Sequence, residues 1–332
     1  MRMRRILAAA LGLTSIVGVA ASATAHPSEP TVHIGDAWAT APIGAAKNGG
    51  AFMTLYNIGE GDAELTGAAS ASAKRVELHR SSMEDGVMRM APVDRLRIPA
   101  HGHTALRPGG YHVMLIGAGG LEVGDTLELT LQFAQLPDQT LTVPVVQTGT
   151  TPKAVRQQVL VPMHQITADG QQARIGTLAL RAHPGGLLAV PLLQGLQPGP
   201  HAMHLHTQGD CGSTERDGEL RPGAAAGGHF DPDETGRYDG PYRNGARGDM
   251  PNLYVEDNGT STIPVLAPRL NLEDVRGRSI MIHAEPDRYG PRLPGASVLN
   301  GGGRPSDHGH GDTQDHEHHG GLRMYCGIVP DA

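Results

Sequence analysis

Thr126-Leu127-Glu128-Leu129-Thr130-Leu131 sets a leucine at every second position with a polar side chain between. Side chains two apart on an extended chain share a face, so the stretch reads as a strand with one face in a core and the other in water. Strand-like runs recur at Ala51-Phe52-Met53-Thr54-Leu55-Tyr56 and Tyr111-His112-Val113-Met114-Leu115, separated by turn signals such as Pro108-Gly109-Gly110 and Gly119-Gly120. Together they predict a small β-sandwich over residues 32–147. Thr148-Gly149-Thr150-Thr151-Pro152 reads as part of a linker over 148–157, and a second turn-rich β pattern fills 158–330, with alternating runs at 174–180 and 187–193. The expected fold class is all-β, two β-sandwich domains, with no internal repeat relating them.

Composition agrees with that division. A chain of 332 residues is long enough for two domains. Its 46 glycines and 25 prolines suit short strands and many turns, and argue against helical bundles and coiled coils. One Trp, seven Tyr and three Phe leave few stacking surfaces, and a formal charge of −7 lacks the basic footprint that nucleic acid requires. No nucleic-acid partner is expected.

Arg2, Arg4 and Arg5 precede an apolar run that ends near Ala21, and Ala23-Thr24-Ala25 has the small-x-small form of a cleavage site. Residues 1–25 therefore read as a signal peptide, with a retained membrane anchor as the alternative. Cleavage removes three arginines and no acid, taking the charge from −7 to −10. No later stretch is apolar enough to span a bilayer. The expected location is periplasmic or secreted, where the only two cysteines, Cys211 and Cys326, favour a disulfide over two free thiols.

Two constellations carry chemistry. In the first, ten residues separate His79 from Met90, twenty-one separate Met90 from His112, and Met114 follows two positions after His112. On a strand His112 and Met114 share a face, and a mixed imidazole–thioether set prefers Cu(I) to hard divalent ions. Taken singly, a methionine on such a strand is usually core and a histidine usually a satisfied polar residue. The spacing His-x10-Met-x21-His-x-Met, with Glu84-Asp85-Gly86-Val87-Met88-Arg89-Met90 and Leu106-Arg107-Pro108-Gly109-Gly110, resembles the periplasmic copper chaperone family PCu(A)C. That resemblance implies a cupredoxin-like sandwich holding Cu(I) on His79, Met90, His112 and Met114. Met88 sits two positions from Met90, and core packing is its expected role, with auxiliary ligation as the alternative.

In the second constellation, His204 and His206 alternate on an expected strand, His229 follows Gly227-Gly228, and His283 ends the run Ser279-Ile280-Met281-Ile282. Three or four imidazoles suit Cu(II). The segments His201-Ala202-Met203-His204-Leu205-His206, Gly209-Asp210-Cys211, Gly227-Gly228-His229-Phe230-Asp231-Pro232, Gly248-Asp249-Met250-Pro251 and Arg323-Met324-Tyr325-Cys326-Gly327 resemble the Cu,Zn superoxide dismutase family. The resemblance implies a Greek-key superoxide-dismutase-like barrel with copper on His204, His206, His229 and His283. It also implies a Cys211–Cys326 bridge, Arg323 as an anion guide, and His229 as a proton carrier.

The family pattern breaks at zinc. Tyr238 and Ala246 stand where the family places zinc histidines, leaving His229 and Asp249, too few for a closed tetrahedral shell. The expectation is a copper-only site, with zinc doubtful and with Asp249, Tyr238 or Asp287 orienting the copper histidines through a hydrogen bond. The insertion 306–319 holds His308, His310, His316, His318, His319 and four acids. It reads as a solvated loop or an auxiliary metal-capture segment.

The combined expectation is an exported superoxide dismutase carrying its own copper-supply domain. Superoxide is the substrate, and copper donor or acceptor proteins are possible partners. The alternative is a non-catalytic copper-binding and trafficking protein with a degenerate dismutase half. Copper at two sites is common to both.

Overall fold

In a computed structural model of the protein, residues 31–331 are described apart from 46, 85, 154–156, 217 and 290–319. The expected leader and the segment 306–319 fall outside the described residues. The amino-terminal strands are β1 (Val32–Thr40), β2 (Gly49–Asn57), β3 (Ala63–Ala69), β4 (Arg75–Glu84), β5 (Val87–Pro92), β6 (Leu96–Ile98), β7 (Gly102–Leu106), β8 (Tyr111–Ile116), β9 (Thr126–Phe133) and β10 (Gln139–Val146). The carboxy-terminal strands are β11 (Gln158–Thr167), β12 (Gly170–His183), β13 (Gly186–Leu193), β14 (Gly199–His201), β15 (Met203–His206), β16 (Thr214–Arg216), β17 (Glu219–Arg221), β18 (Leu253–Val255), β19 (Val265–Ala267), β20 (Ser279–His283) and β21 (Arg323–Ile328). One helical turn, α1 (Leu272–Val275), is closed by a capping box between Asn271 and Asp274. The all-β expectation holds in both halves.

The amino-terminal sheet runs β5-β4-β8-β2-β1-β10-β9-β3-β6, with β7 also on β2. Leu127, Leu129 and Leu131 of β9 are fully buried while Thr126, Glu128 and Gln132 are exposed, which is the alternation expected of a half-buried strand. Each such leucine contributes about 1.5 to 3 kcal/mol relative to exposure. Strand β2 departs from alternation, with all nine of its residues buried. Ala51, Met53 and Leu55 enter the core. Phe52 and Tyr56 point the other way, and Trp38 covers Phe52 with ring centroids 5.1 Å apart. Tyr56 is covered by the carboxy-terminal half, through a cluster with Ile58, Leu192 and Leu160.

The carboxy-terminal sheet runs β15-β20-β21-β11-β12-β13-β19 around one core that includes Leu178, Leu180, Met203, Leu205, Ile280 and Ile282. The Cys211–Cys326 disulfide ties the segment after β15 to β21 across 115 residues. Thr177 and Ala179, on the face of β12 opposite Leu178 and Leu180, are buried as well. The docked amino-terminal half covers this face. His103 Nδ1 lies 3.4 Å from Thr177 Oγ1, and Arg174 Nη2 donates to that hydroxyl at 2.9 Å. Asp36 sits at an irregularity in β1 between Gly35 and Trp38, with φ of 55°. Aspartate tolerates that left-handed conformation better than most residues. Its carboxylate pairs with Arg181 Nη2 at 3.0 Å and accepts from the Tyr56 hydroxyl at 3.4 Å. Burial, followed by the Asp36 charge, pushes the Tyr56 phenol up to about 12.

Candidate metal centres

Antiparallel register assembles the first donor set. His79 faces His112 directly, Glu77 faces Met114, Ser81 faces Met90, and Met83 faces Met88. Directly opposed residues share a face, so His79, Met90, His112 and Met114 all lie on one side of β4, β5 and β8. The two imidazole centroids are 5.9 Å apart. His112 Nδ1 donates to the Gly110 carbonyl at 3.0 Å, and His79 Nε2 donates to Glu77 Oε2 at 2.8 Å. Each ring thereby keeps one buried nitrogen, His112 Nε2 and His79 Nδ1, without a hydrogen-bond partner. Two lone pairs left over on neighbouring rings beside two thioethers fit a soft cation.

Exposure grades across this face. His112 is buried, Met114 half-buried, and Met90 is 49% exposed. Met88 is 59% exposed and Met83 65%, so Met88 does not pack in the core as its strand position suggests. The β4–β5 hairpin extends beyond the core, so its apolar side chains have nothing to enter. Glu77, the hydrogen-bond partner of His79, is a neighbour of this donor set that the spacing alone misses. Its signal is the position two before His79 on the same strand face.

The second donor set is built on β15 and β20. Met203 and Leu205 enter the core, which turns His204 and His206 to the opposite side of β15. His283 ends β20, and its register partner on β21 is Arg323. His229 and Asp249 arrive from loops that bridge onto β15, His206 against His229 and His204 against Asp249. Gly248 permits that approach, because a Cβ there would sit 2.3 Å from the Leu205 carbonyl oxygen. One ligating nitrogen from each of His204, His206, His229 and His283 lies within 4.8 Å of all the others.

The outer nitrogens of these rings are engaged. His206 Nδ1 donates to the Gly227 carbonyl at 2.9 Å, and His283 Nδ1 to the Gly321 carbonyl at 3.1 Å. His229 Nδ1 contacts Asp249 Oδ1 at 2.9 Å, and His204 Nε2 contacts Asp287 Oδ2 at 3.1 Å. His204 Nδ1 and His283 Nε2 lie 3.1 Å apart, while His206 Nε2 is buried without a partner. Four converging imidazole nitrogens, one of them buried without a hydrogen bond, fit a metal that prefers imidazole. Burial, reinforced by the Arg323 charge and the neighbouring rings, holds His206 well below its ordinary 6.5, in the neutral form a ligand requires. Arg323 donates Nη2 to the Gly227 carbonyl at 2.8 Å, fixing it at the rim of the cluster.

Among the described residues, Asp249 is a carboxylate hydrogen-bonded to His229. Tyr238 lays its ring edge-on against His229 with centroids 4.9 Å apart, and Ala246 is buried. Asp249 spends one carboxylate oxygen on His229 and the other on the Gly240 amide at 3.0 Å. Among the described residues the four-histidine group is the one cluster of three or more His, Cys, Asp or Glu with metal-ligand spacing. His308, His310, His316, His318 and His319 lie outside the described residues.

Comparison with known proteins follows the same division. Residues 32–145 match the LpqE-like family, and residues 175–329 match the copper/zinc superoxide dismutase (SODC) family. A relative named superoxide dismutase [Cu-Zn], from Photobacterium leiognathi, is 40% identical over 156 residues, covering 47% of this chain and 87% of its own length. A solved Cu/Zn superoxide dismutase from Brucella abortus is 30% identical with TM-score 0.44, covering 52% of this chain and 99% of its own. The copper-bound PCuAC domain from PmoF2 is 24% identical with TM-score 0.30, covering 35% of this chain and 92% of its own. Beside a four-imidazole cluster and a bridging cystine, the 40% identity to a relative covered over 87% of its length makes the chain a member of the copper/zinc superoxide dismutase family, preceded over residues 32–145 by a stretch that matches the LpqE-like family.

Proposed function

We propose that the protein is an exported, copper-only superoxide dismutase whose amino-terminal domain, over 32–147, binds Cu(I) and supplies it. The observation that carries this reading is the pair of donor sets, one placing partnerless ring nitrogens of His79 and His112 beside two thioethers, the other bringing one nitrogen from each of four imidazoles within 4.8 Å of the rest. His79, Met90, His112 and Met114 would hold Cu(I), and His204, His206, His229 and His283 would hold the catalytic ion. Copper bound there supplies alternate one-electron uptake and release with two superoxide anions, giving oxygen and hydrogen peroxide.

The chain's own residues do the rest. Arg323 keeps its charge at any relevant pH and presents a planar fork to a small anion at the rim. His229 holds its Nδ1 proton on Asp249, which leaves Nε2 as the atom that accepts and delivers a proton inside the cluster. Asp249 thereby takes over the orienting task that zinc has in the family pattern, and Asp287 does the same for His204. A buried carboxylate fixed by its own amide donor keeps the ring from turning.

Metal analysis and superoxide turnover on the full chain test this. The expected outcome is about two copper ions and no tightly held zinc per chain after loading with both metals. Arg323→Ala should lower kcat/KM roughly tenfold, through loss of anion steering. Turnover no faster than that of free copper complexes and indifferent to Arg323→Ala would select the trafficking alternative. A tightly held zinc that survives deletion of 306–319 would refute the copper-only assignment.

A further inference from the structure

The interface between the two halves bears on how copper moves. Asp36 is almost fully buried there, with a side chain 5% exposed, and it takes both the Arg181 guanidinium and the Tyr56 hydroxyl. Arg181 and Tyr56 come from different halves, so the carboxylate locks an apolar contact of Tyr56, Ile58, Leu192 and Leu160 in one orientation. A polar group this buried loses its partner if the halves slide, which makes the docked geometry specific.

That geometry separates the two donor sets. On the amino-terminal side Tyr56 and Phe52 share a face of β2, and Phe52 lies against His112 with centroids 6.2 Å apart. The four residue steps from Phe52 to Tyr56 span about 13 Å of strand. On the carboxy-terminal side Thr177, Ala179 and Arg181 point out of the barrel, because Leu178 and Leu180 point into its core. His204 and His206 also point outward, because Met203 and Leu205 point into the same core. Strands β12 and β15 stand four steps apart along a seven-stranded sheet that wraps this core, so their outward faces look in opposite directions. Facing β layers lie about 10 Å apart, and the two donor sets are therefore separated by roughly 20 Å or more. A metal handed from ligand to ligand must be within about 2 Å of donors from both sets at once.

We infer that the Asp36–Arg181–Tyr56 clamp bars copper transfer within one chain, so that the soft-donor face of one molecule serves the imidazole cluster of a second copy. The inference rests on the two-copper reading proposed above. Among the described residues, apolar side chains are exposed near both sites. Met83, Met88 and Met90 are 65%, 59% and 49% exposed on the donor hairpin, and Leu322, the residue before Arg323, is 74% exposed. These apolar edges give two copies a contact that brings thioether and imidazole together.

Kinetic order tests the inference on the full chain. Protein loaded with one Cu(I) is incubated with a chelator too weak to strip the site but able to trap released ion, and copper reaching the imidazoles is read after oxidation from its Cu(II) paramagnetic resonance spectrum. The initial rate per chain should rise about tenfold for a tenfold rise in protein concentration. A His204→Gln, His206→Gln chain loaded with copper should also deliver to an apo chain carrying His79→Gln and Met114→Leu. Asp36→Ala with Arg181→Ala should add a component independent of concentration once NMR relaxation shows the halves tumbling separately. A concentration-independent rate in the native chain would overturn the inference, as would an unchanged order in the undocked double variant. Failure of the native chain to bind Cu(I) at His79, Met90, His112 and Met114 would sink the two-copper reading and this inference with it, a result visible before any transfer is measured.

Discussion

The two donor sets are made by the same rule, alternation on antiparallel strands, and they differ in what stands behind each ligand. In the amino-terminal half the rings are held by one side chain and one carbonyl, and the thioethers climb from half-buried Met114 to a projecting hairpin. In the carboxy-terminal half every ring has an outer partner, two of them buried carboxylates, and the whole is tied by a cystine. The first arrangement suits a site that must let its ion go. The second suits one that must keep its ion while electrons pass. Under the proposed function, burial and the outer hydrogen bonds, more than ligand identity alone, would separate holding from delivering.

The largest way to break this comparison is at the cystine. Cys211→Ser with Cys326→Ser releases a constraint spanning 115 residues. The carboxy-terminal half should lose about 4 to 5 kcal/mol of stability in chemical denaturation, while Cu(I) binding to the amino-terminal half stays unchanged. Next in size, Asp249→Ala removes two hydrogen bonds, those from His229 Nδ1–H and the Gly240 amide. This should cost about 1 to 3 kcal/mol for each, read from the denaturation midpoint, with no counterpart when exposed Glu84 is replaced.

Acid sharpens the comparison at the interface. Burial, with Arg174 and Arg107 adding repulsion, lowers His103 from 6.5 to about 4. The unfolded chain therefore binds a proton between those values that the folded chain does not. Stability should fall as pH drops from about 6.5 toward 4, and His103→Gln should flatten that slope in thermal melts. The smallest effect is expected at Met88, where Met88→Leu should change stability by less than about 0.5 kcal/mol because the side chain is largely in water.

Much of this was legible in local pattern. Period-two alternation in Thr126–Leu131 predicted β9, and the same period in His204-Leu205-His206 predicted two rings on one side of a strand. The hydrogen bonds that orient the rings were less legible, since the acceptors at Gly110, Gly227 and Gly321 are backbone carbonyls that carry no residue-specific mark. The interface was the least so. Asp36 and Arg181 are 145 residues apart, and neither has a neighbour in sequence that predicts the other. The one hint was Ala51–Tyr56, where apolar and aromatic residues occupy both faces of a strand. Such a run implies cover on two sides, and here one cover is the other half of the molecule.

The stack of Trp38 on Phe52, with Phe52 in turn against His112, has a practical consequence. Trp38 is the sole tryptophan in the chain and is 1% exposed. Intrinsic indole emission excited at the red edge thus originates next to the mixed-donor face alone, giving an optical gauge of that face that needs no label and is blind to the dismutase-like barrel.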